Sequence, residues 1–276
     1  MLVEKTIGAL SLVELLVRNN LNRNNDSSKR MNIKHYKFFF FSQTDDSEKY
    51  IMLDVAYEKN TYSKIISKKI ESEKLGIYSD LMVWMPSKES ILGDKLTVLG
   101  PGTTGISYDS QKELELMKQL YDVSQLFNEV EDMNQIRESF INIAERELEY
   151  RGYREYTYLD VLNDIEDFAL VIIFKDDIQK LKVVREGLSK VKYYIFEKNF
   201  QMETGALSAA SKVLYLVNLI RNKESKIEKY HKGINVIDVE EFTVPNKIKR
   251  SLKIIKKINE EAYYYIACAF KARFPL

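Results

Sequence analysis

The sequence predicts an α/β to α+β protein. A mixed α/β unit spans residues 1–107, and a helix-dominated α+β region spans 108–276 and contains one strand-helix-strand unit. Three observations predict this. Short apolar runs bounded by Asn, Asp, Ser and Gly fill the first third. From Asp109 onward the apolar residues recur with a period of about 3.6. Between the two patterns stand Gly100, Pro101, Gly102 and Gly105, which set the boundary near residues 100–108, a single cooperative domain being the alternative.

Residues 7–17, IGALSLVELLV, predict a buried helix. They are interrupted by Glu14 and fall short of the roughly 20 apolar residues that span a membrane. RNNLNRNND follows, where a signal peptide would show a cleavage site. HYKFFFFSQ and YIMLDVAYE predict two strands joined through TDDSEK as a hairpin. TYSKIISKKIESEKLG predicts a helix with Ile65, Ile66 and Ile70 on one side and Gly76 at its end. DLMVWMP predicts a buried strand stopped by Pro86, and KLTVLG another strand.

Beyond the glycines, Leu116, Leu120, Val123, Phe127 and Val130 mark one amphipathic helix. Met133, Ile136, Phe140, Ala144 and Leu148 mark the next, broken at Gly152. ALVIIF, DDIQKLKVVREGLSKVK and YYIFEKN form the predicted strand-helix-strand unit. METGALSAASKVLYLVNLIRNKESKIEKY predicts a long helix, and Pro245 opens a last one running to about Phe270.

The composition narrows the function classes. With 276 residues the chain buries one large core or two modest ones. Its 42 Lys+Arg nearly cancel 41 Asp+Glu, so no global field draws it to nucleic acid or membrane, and such a partner would meet a local patch. A lone cysteine, Cys268, excludes an intramolecular disulfide framework and a Cys-rich zinc site. A soluble, intracellular, cytoplasmic protein that needs no membrane and no cofactor is the expectation.

The run LTVLGPGTTGIS has the spacing of a phosphate-binding loop from Gly100 to Gly105, with Ser107 in place. Ile106 stands where that loop carries its lysine, so turn chemistry is the reading: a Gly-Pro turn joining two subdomains. YIMLDVAYEKN, then a predicted helix, then GIYSDLMVWMP, resembles in element order the half-core of PD-(D/E)xK nucleases. The resemblance implies Mg²⁺ held by Asp54, with Glu14 contributed by the preceding helix. Ala56 occupies the position of that family's lysine, and Lys59 is the next base.

Neither His35 nor His231 has a second histidine or a cysteine at metal-ligand spacing, and Cys268 reads as core. Among the acid pairs Asp45/Asp46, Asp176/Asp177 and Glu240/Glu241, the second follows an apolar run, where sheets bind ligands. Asp176 and Asp177 are therefore weak metal candidates, beside Asp54, which the resemblance implies. The strongest positive signal is NKIKRSLKIIKK. As a helix it buries Ile248, Leu252 and Ile255, continued by Ala262 and Ile266. Lys249, Arg250, Lys253, Lys256 and Lys257 lie on the other side, as a face for an acidic partner or nucleic acid. Tyr263, Tyr264 and Tyr265 follow, and Tyr150, Tyr153, Tyr156 and Tyr158 surround one turn, where tyrosines suit a protein contact.

Each catalytic template fails at a residue its chemistry needs. The expectation is a non-enzymatic interaction or assembly protein, oligomeric, with a protein partner or a second copy. The alternatives are a nucleic-acid binder using the basic helix and a degenerate PD-(D/E)xK-like nuclease.

Overall fold

The computed structural model describes residues 33–42, 45–73, 76–195 and 200–273. The helix predicted over 7–17, with Glu14, lies outside them. The protein is α+β, two antiparallel hairpins followed by helices, and the chain divides into two compact units at residues 60 and 61.

The first unit holds β1 (Ile33–Phe41) and β2 (Glu48–Ala56), which pair antiparallel, Phe38 opposite Ile51 and Phe39 opposite Tyr50. The aromatic and β-branched residues predicted this pairing. The turn closes through Ser42 N–H donating to Ser47 O (2.9 Å), with Asp46 in the left-handed region at φ 47°. Lys49 beside Asp45 holds that carboxyl down at about 2.

The second unit begins with another hairpin, β3 (Ile65–Ser72) and β4 (Ile77–Pro86), again antiparallel and turned at Gly76 (φ 62°). The helix predicted over TYSKIISKKIESEKLG is therefore a strand. Ile65, Ile66 and Ile70 are β-branched, and their spacing fits a helix only by coincidence, because no buried face imposes a period. DLMVWMP is a strand as predicted, but it lies in solvent rather than in the core. KLTVLG is no strand: its first residues end α1 (Lys88–Thr97). That helix is capped by Ser87, which accepts from Ser90 N–H, and buries Leu92 and Leu96 one turn apart.

Helices α2 (Glu113–Glu129) and α3 (Met133–Arg151) bury the predicted stripes, and Gly152 ends the latter at φ 75°. α1 packs so closely on α3 that a Cβ on Gly93 would lie 2.6 Å from Ile136 O. ALVIIF belongs to α4 (Tyr158–Phe174), so the predicted strand-helix-strand unit is absent. Thr157 and Asp160 form a capping box, and Val161, Leu162, Ile165, Phe168, Ala169 and Ile172 are buried. Its continuous apolar end marks a helix turn surrounded by protein, a pattern that a short window cannot separate from a buried strand. α5 (Ile178–Val191) follows as predicted, while Tyr193–Ile195, predicted as strand, form a turn.

A π-turn (Met202–Ala206) leads into α6 (Leu207–Arg221), which is buried along its length and packs on α2, α4 and α8. Instead of continuing through KESKIEKY, the chain leaves the helix after Arg221 and runs irregularly to Asp238. The last predicted helix is two, α7 (Asn246–Ile258) and α8 (Glu260–Arg273), broken at Asn259. Asn259 accepts from Ala262 N–H (3.0 Å) to cap α8, and its Nδ2 donates to Thr204 O (3.1 Å) in the π-turn.

The irregular strap over 222–238 is held by tyrosine hydroxyls. Tyr215 accepts from Glu228 N–H (3.2 Å), Tyr265 accepts from Tyr230 N–H (2.9 Å), and Tyr263 donates to Ile237 O (2.8 Å). Tyr264 donates to the Glu228 carboxylate (3.2 Å). The three consecutive tyrosines are thus buried ties for backbone that has no ladder of its own, and offer no stacking platform to a nucleobase.

Candidate functional site

Helices and hydroxyls fix the base of the β3–β4 hairpin. Ser63 N–H donates to Ser139 Oγ (3.0 Å) and Ser63 Oγ to Gln135 O (3.0 Å), both on α3. Lys64 N–H donates to Ser90 Oγ (3.2 Å) on α1, and Ser87 Oγ donates to Gln135 Oε1 (3.1 Å). Tyr62 donates to Asp94 at 2.7 Å, where burial pushes both the hydroxyl and the carboxyl above their ordinary values. A ribbon anchored this way stands on the helical body as a fixed arm.

Beyond its base the second strand of the arm carries large apolar side chains in solvent. Leu81 is 60 % exposed, Met82 59 %, Trp84 77 % and Tyr78 75 %. β4 has β3 as its one strand neighbour among the described residues. In the other unit β2 has β1 as its one strand neighbour among the described residues, and Tyr50, Ile51, Met52 and Leu53 are likewise exposed. Successive side chains of a strand alternate between its faces, so each ribbon exposes apolar residues on both.

The basic face has a different outcome. α7 buries Leu252 and Ile255, half-buries Ile248, and turns its five predicted cations outward or sideways. On one flank they meet the short 3₁₀ turn Val239–Glu241. Lys249 (3.2 Å) and Lys253 (2.6 Å) pair with Glu240, and Lys256 approaches Asp238 at 3.8 Å. Lys253 first, then Lys249, holds the Glu240 carboxyl below its usual value. Arg250 and Lys257 form no ion pair among the described residues. An acidic neighbour inside the chain therefore meets three of the five cations.

The metal candidates do not assemble a ligand set. Asp177 caps α5, accepting from Gln179 N–H (3.1 Å) and Lys180 N–H (3.0 Å). The Lys180 backbone bond is the largest cause of its lowered carboxyl pKa. Asp176 lines the same shallow cavity as Asp167 and Lys180. Asp54 lies exposed on β2, opposite His35 in register. Among the described residues no cluster of three His, Cys, Asp or Glu side chains is arranged to hold a metal. The PD-(D/E)xK-like order also fails, since β3 stands where that order needs a helix.

The glycine loop turns out to be an anion site filled from within. Gly102 N–H and Thr103 Oγ1 both donate to Asp164 Oδ2 at 2.8 Å, so a carboxylate of α4 sits in the backbone nest. Gly105 lets the loop close: a Cβ there would lie 2.2 Å from Val98 O. Burial pushes the Asp164 carboxyl above its usual value against those hydrogen bonds.

Two lysines escaped the sequence reading. Lys212, buried on α6, reaches Glu261 (2.9 Å) and Asn128 (3.0 Å) and lies over the rings of Phe127 and Tyr265. It lines a polar cavity of about 470 Å³ with Ser124, Ser208 and Asn259. Lys229 donates to Phe127 O near the end of α2, over the Phe127 ring at 3.9 Å. Burial, then Lys212 nearby, lowers its pKa to about 8. No sequence motif flags either, because their partners come from distant helices.

No helix of the described residues is long and apolar enough to cross a membrane. Comparison of the chain with protein-family models, with curated proteins and with solved structures finds no match.

Proposed function

We propose that this chain is a non-enzymatic assembly protein that self-associates, with its hairpins as contact surfaces. One observation carries the reading: the uncharged run over residues 81–84 lies in solvent on a strand with one neighbour among the described residues. Covering such a surface is favourable at roughly 25 cal/mol per Å² of apolar area, and leaving it bare invites unspecific pairing. Several polar groups of the helical body serve as caps, ties and ion pairs, among them Asp177, Tyr263 and Lys212, which fits a scaffold. Nucleic-acid binding is the second reading and rests on Arg250 and Lys257. It is weakened because Glu240 and Asp238 already meet Lys249, Lys253 and Lys256.

The test is sedimentation velocity of the intact protein across a dilution series, with and without short labelled duplex DNA at physiological salt. The proposal expects a mass of more than one chain at the higher concentrations and no co-sedimenting DNA. A single-chain mass throughout overturns it. Salt-sensitive co-sedimentation moves the assignment to the basic helix.

A further inference from the structure

We infer that two copies of the chain pair β4 to β4, antiparallel about a two-fold axis, with Met82 of each copy opposite Trp84 of the other. The inference rests on the assembly reading and names the partner as a second copy.

Hydrogen-bond parity selects the residues. Ser87 N–H donates to Lys64 O (3.0 Å), one step beyond the pair Ile65–Pro86. Antiparallel pairs alternate between exchanging both backbone bonds and exchanging none. The pairs Ile66–Met85 and Lys68–Val83 therefore bond to each other, whereas Met82 and Trp84 aim N–H and C=O away from β3. Pro86 falls at an outward position, where its missing N–H costs the ladder nothing.

Charge selects the edge. β3 carries Lys68, Lys69 and Glu71, the kind of residue that guards a strand against pairing. β4 has no charge from residue 81 to Met85.

Symmetry then selects the register. A two-fold axis perpendicular to the ribbon at Val83 sets Met82 against Trp84 twice and Leu81 against Met85. Both outward residues of each copy then exchange backbone bonds with the other. Sulfur against an indole ring is itself a favourable contact. Sliding one way puts Pro86, with no N–H, opposite Met82. Sliding the other way buries Asp80, which is fully exposed and 2.8 Å from Lys69, against Trp84. In the chosen register Asp80 stays at the end of the paired stretch, beside Pro86 of the second copy, where it keeps its own Lys69. Edge pairing over residues 81–85 covers only part of these exposed side chains, well short of the roughly 800 Å² per partner of a standard interface, so the dimer dissociates on dilution.

The experiment is disulfide trapping in the full chain, with Cys268→Ser as background. In the inferred register the two copies of residue 83 form a non-bonded pair with Cα atoms about 4.5 Å apart, within disulfide range. The two copies of residue 82 lie about 8 Å apart and cannot be bridged. Val83→Cys should give a covalent dimer under mild oxidation and Met82→Cys little or none. Val83 is half-exposed, so either variant is compatible with folding. If the wild type self-associates yet Val83→Cys stays uncrosslinked, or Met82→Cys crosslinks as fast, the register is wrong and the assembly reading stands. If the wild type sediments as a single chain, both fall.

Discussion

Replacing Asp164 tests whether the glycine loop is an internally filled anion nest. Asp164→Ala removes the acceptor of two hydrogen bonds, from Gly102 N–H and Thr103 Oγ1, and leaves the buried Thr103 hydroxyl without it. Bonds to a charged acceptor contribute about 1.5–3 kcal/mol each. The burial cost of this half-buried carboxylate opposes them, so the net loss is about 2 kcal/mol. For a unit of this size that lowers the melting temperature by about 4–8 °C. The pH dependence has a definite sign. The folded carboxyl sits above the unfolded value of 3.8, so its contribution is fully present below that value and declines as pH rises through the folded one. The gap between wild type and variant therefore widens on acidification toward pH 3.8. With the nest emptied, inorganic phosphate at tenfold its dissociation constant should restore about 1.4 kcal/mol to the variant and nothing to the wild type. Urea denaturation at several pH values, with and without phosphate, measures all of this. A variant as stable as wild type, or a wild type equally stabilised by phosphate, refutes the reasoning.

Other perturbations have equally definite outcomes. Gly93→Ala forces a Cβ to within 2.6 Å of the α3 backbone and should cost about 2 kcal/mol in urea titration despite alanine's better helix propensity. Lys229 is depressed from 10.5 to about 8, so the unfolded chain binds the extra proton between those values and stability rises with pH across them. Discounted for partial exposure, the wild type should gain on Lys229→Met by about 1–2 kcal/mol between pH 8 and 10.5, read from paired melts. Glu240→Gln releases Lys249 and Lys253 from their carboxylate. Heparin or duplex DNA binding should strengthen, with a salt slope steeper by about one to two, while the melting temperature stays put.

How much could be read in advance follows from what each segment touches. α2 and α3 were legible because one face of each is buried, and Leu116, Leu120, Val123 and Phe127 write the helical period into the sequence. β3 was not: neither face of that ribbon is buried, so Ile65, Ile66 and Ile70 carry no period, and only their branching hinted at a strand. ALVIIF failed for the opposite reason: Ala169, Val171, Ile172 and Ile173 are buried and Leu170 and Phe174 half-buried, so the end of α4 has no polar face to write a period. The basic face of α7 was legible, yet its neutralisation was not, since Glu240 and Asp238 reach it only through the fold of the strap. Apolar residues in β4 imply burial when read as sequence, yet Leu81, Met82 and Trp84 lie in solvent. Asp164 was invisible because the loop it fills lies more than sixty residues away.

Amide hydrogen exchange at Met82 and Trp84, resolved by residue in the intact protein and followed with concentration, tests assembly through the β4 edge most directly. Both N–H groups point away from β3, so in a single chain they meet water. Their exchange should slow as concentration rises, while the Val83 amide, bonded within the hairpin, changes less. Fast exchange at Met82 and Trp84, independent of concentration, would contradict it.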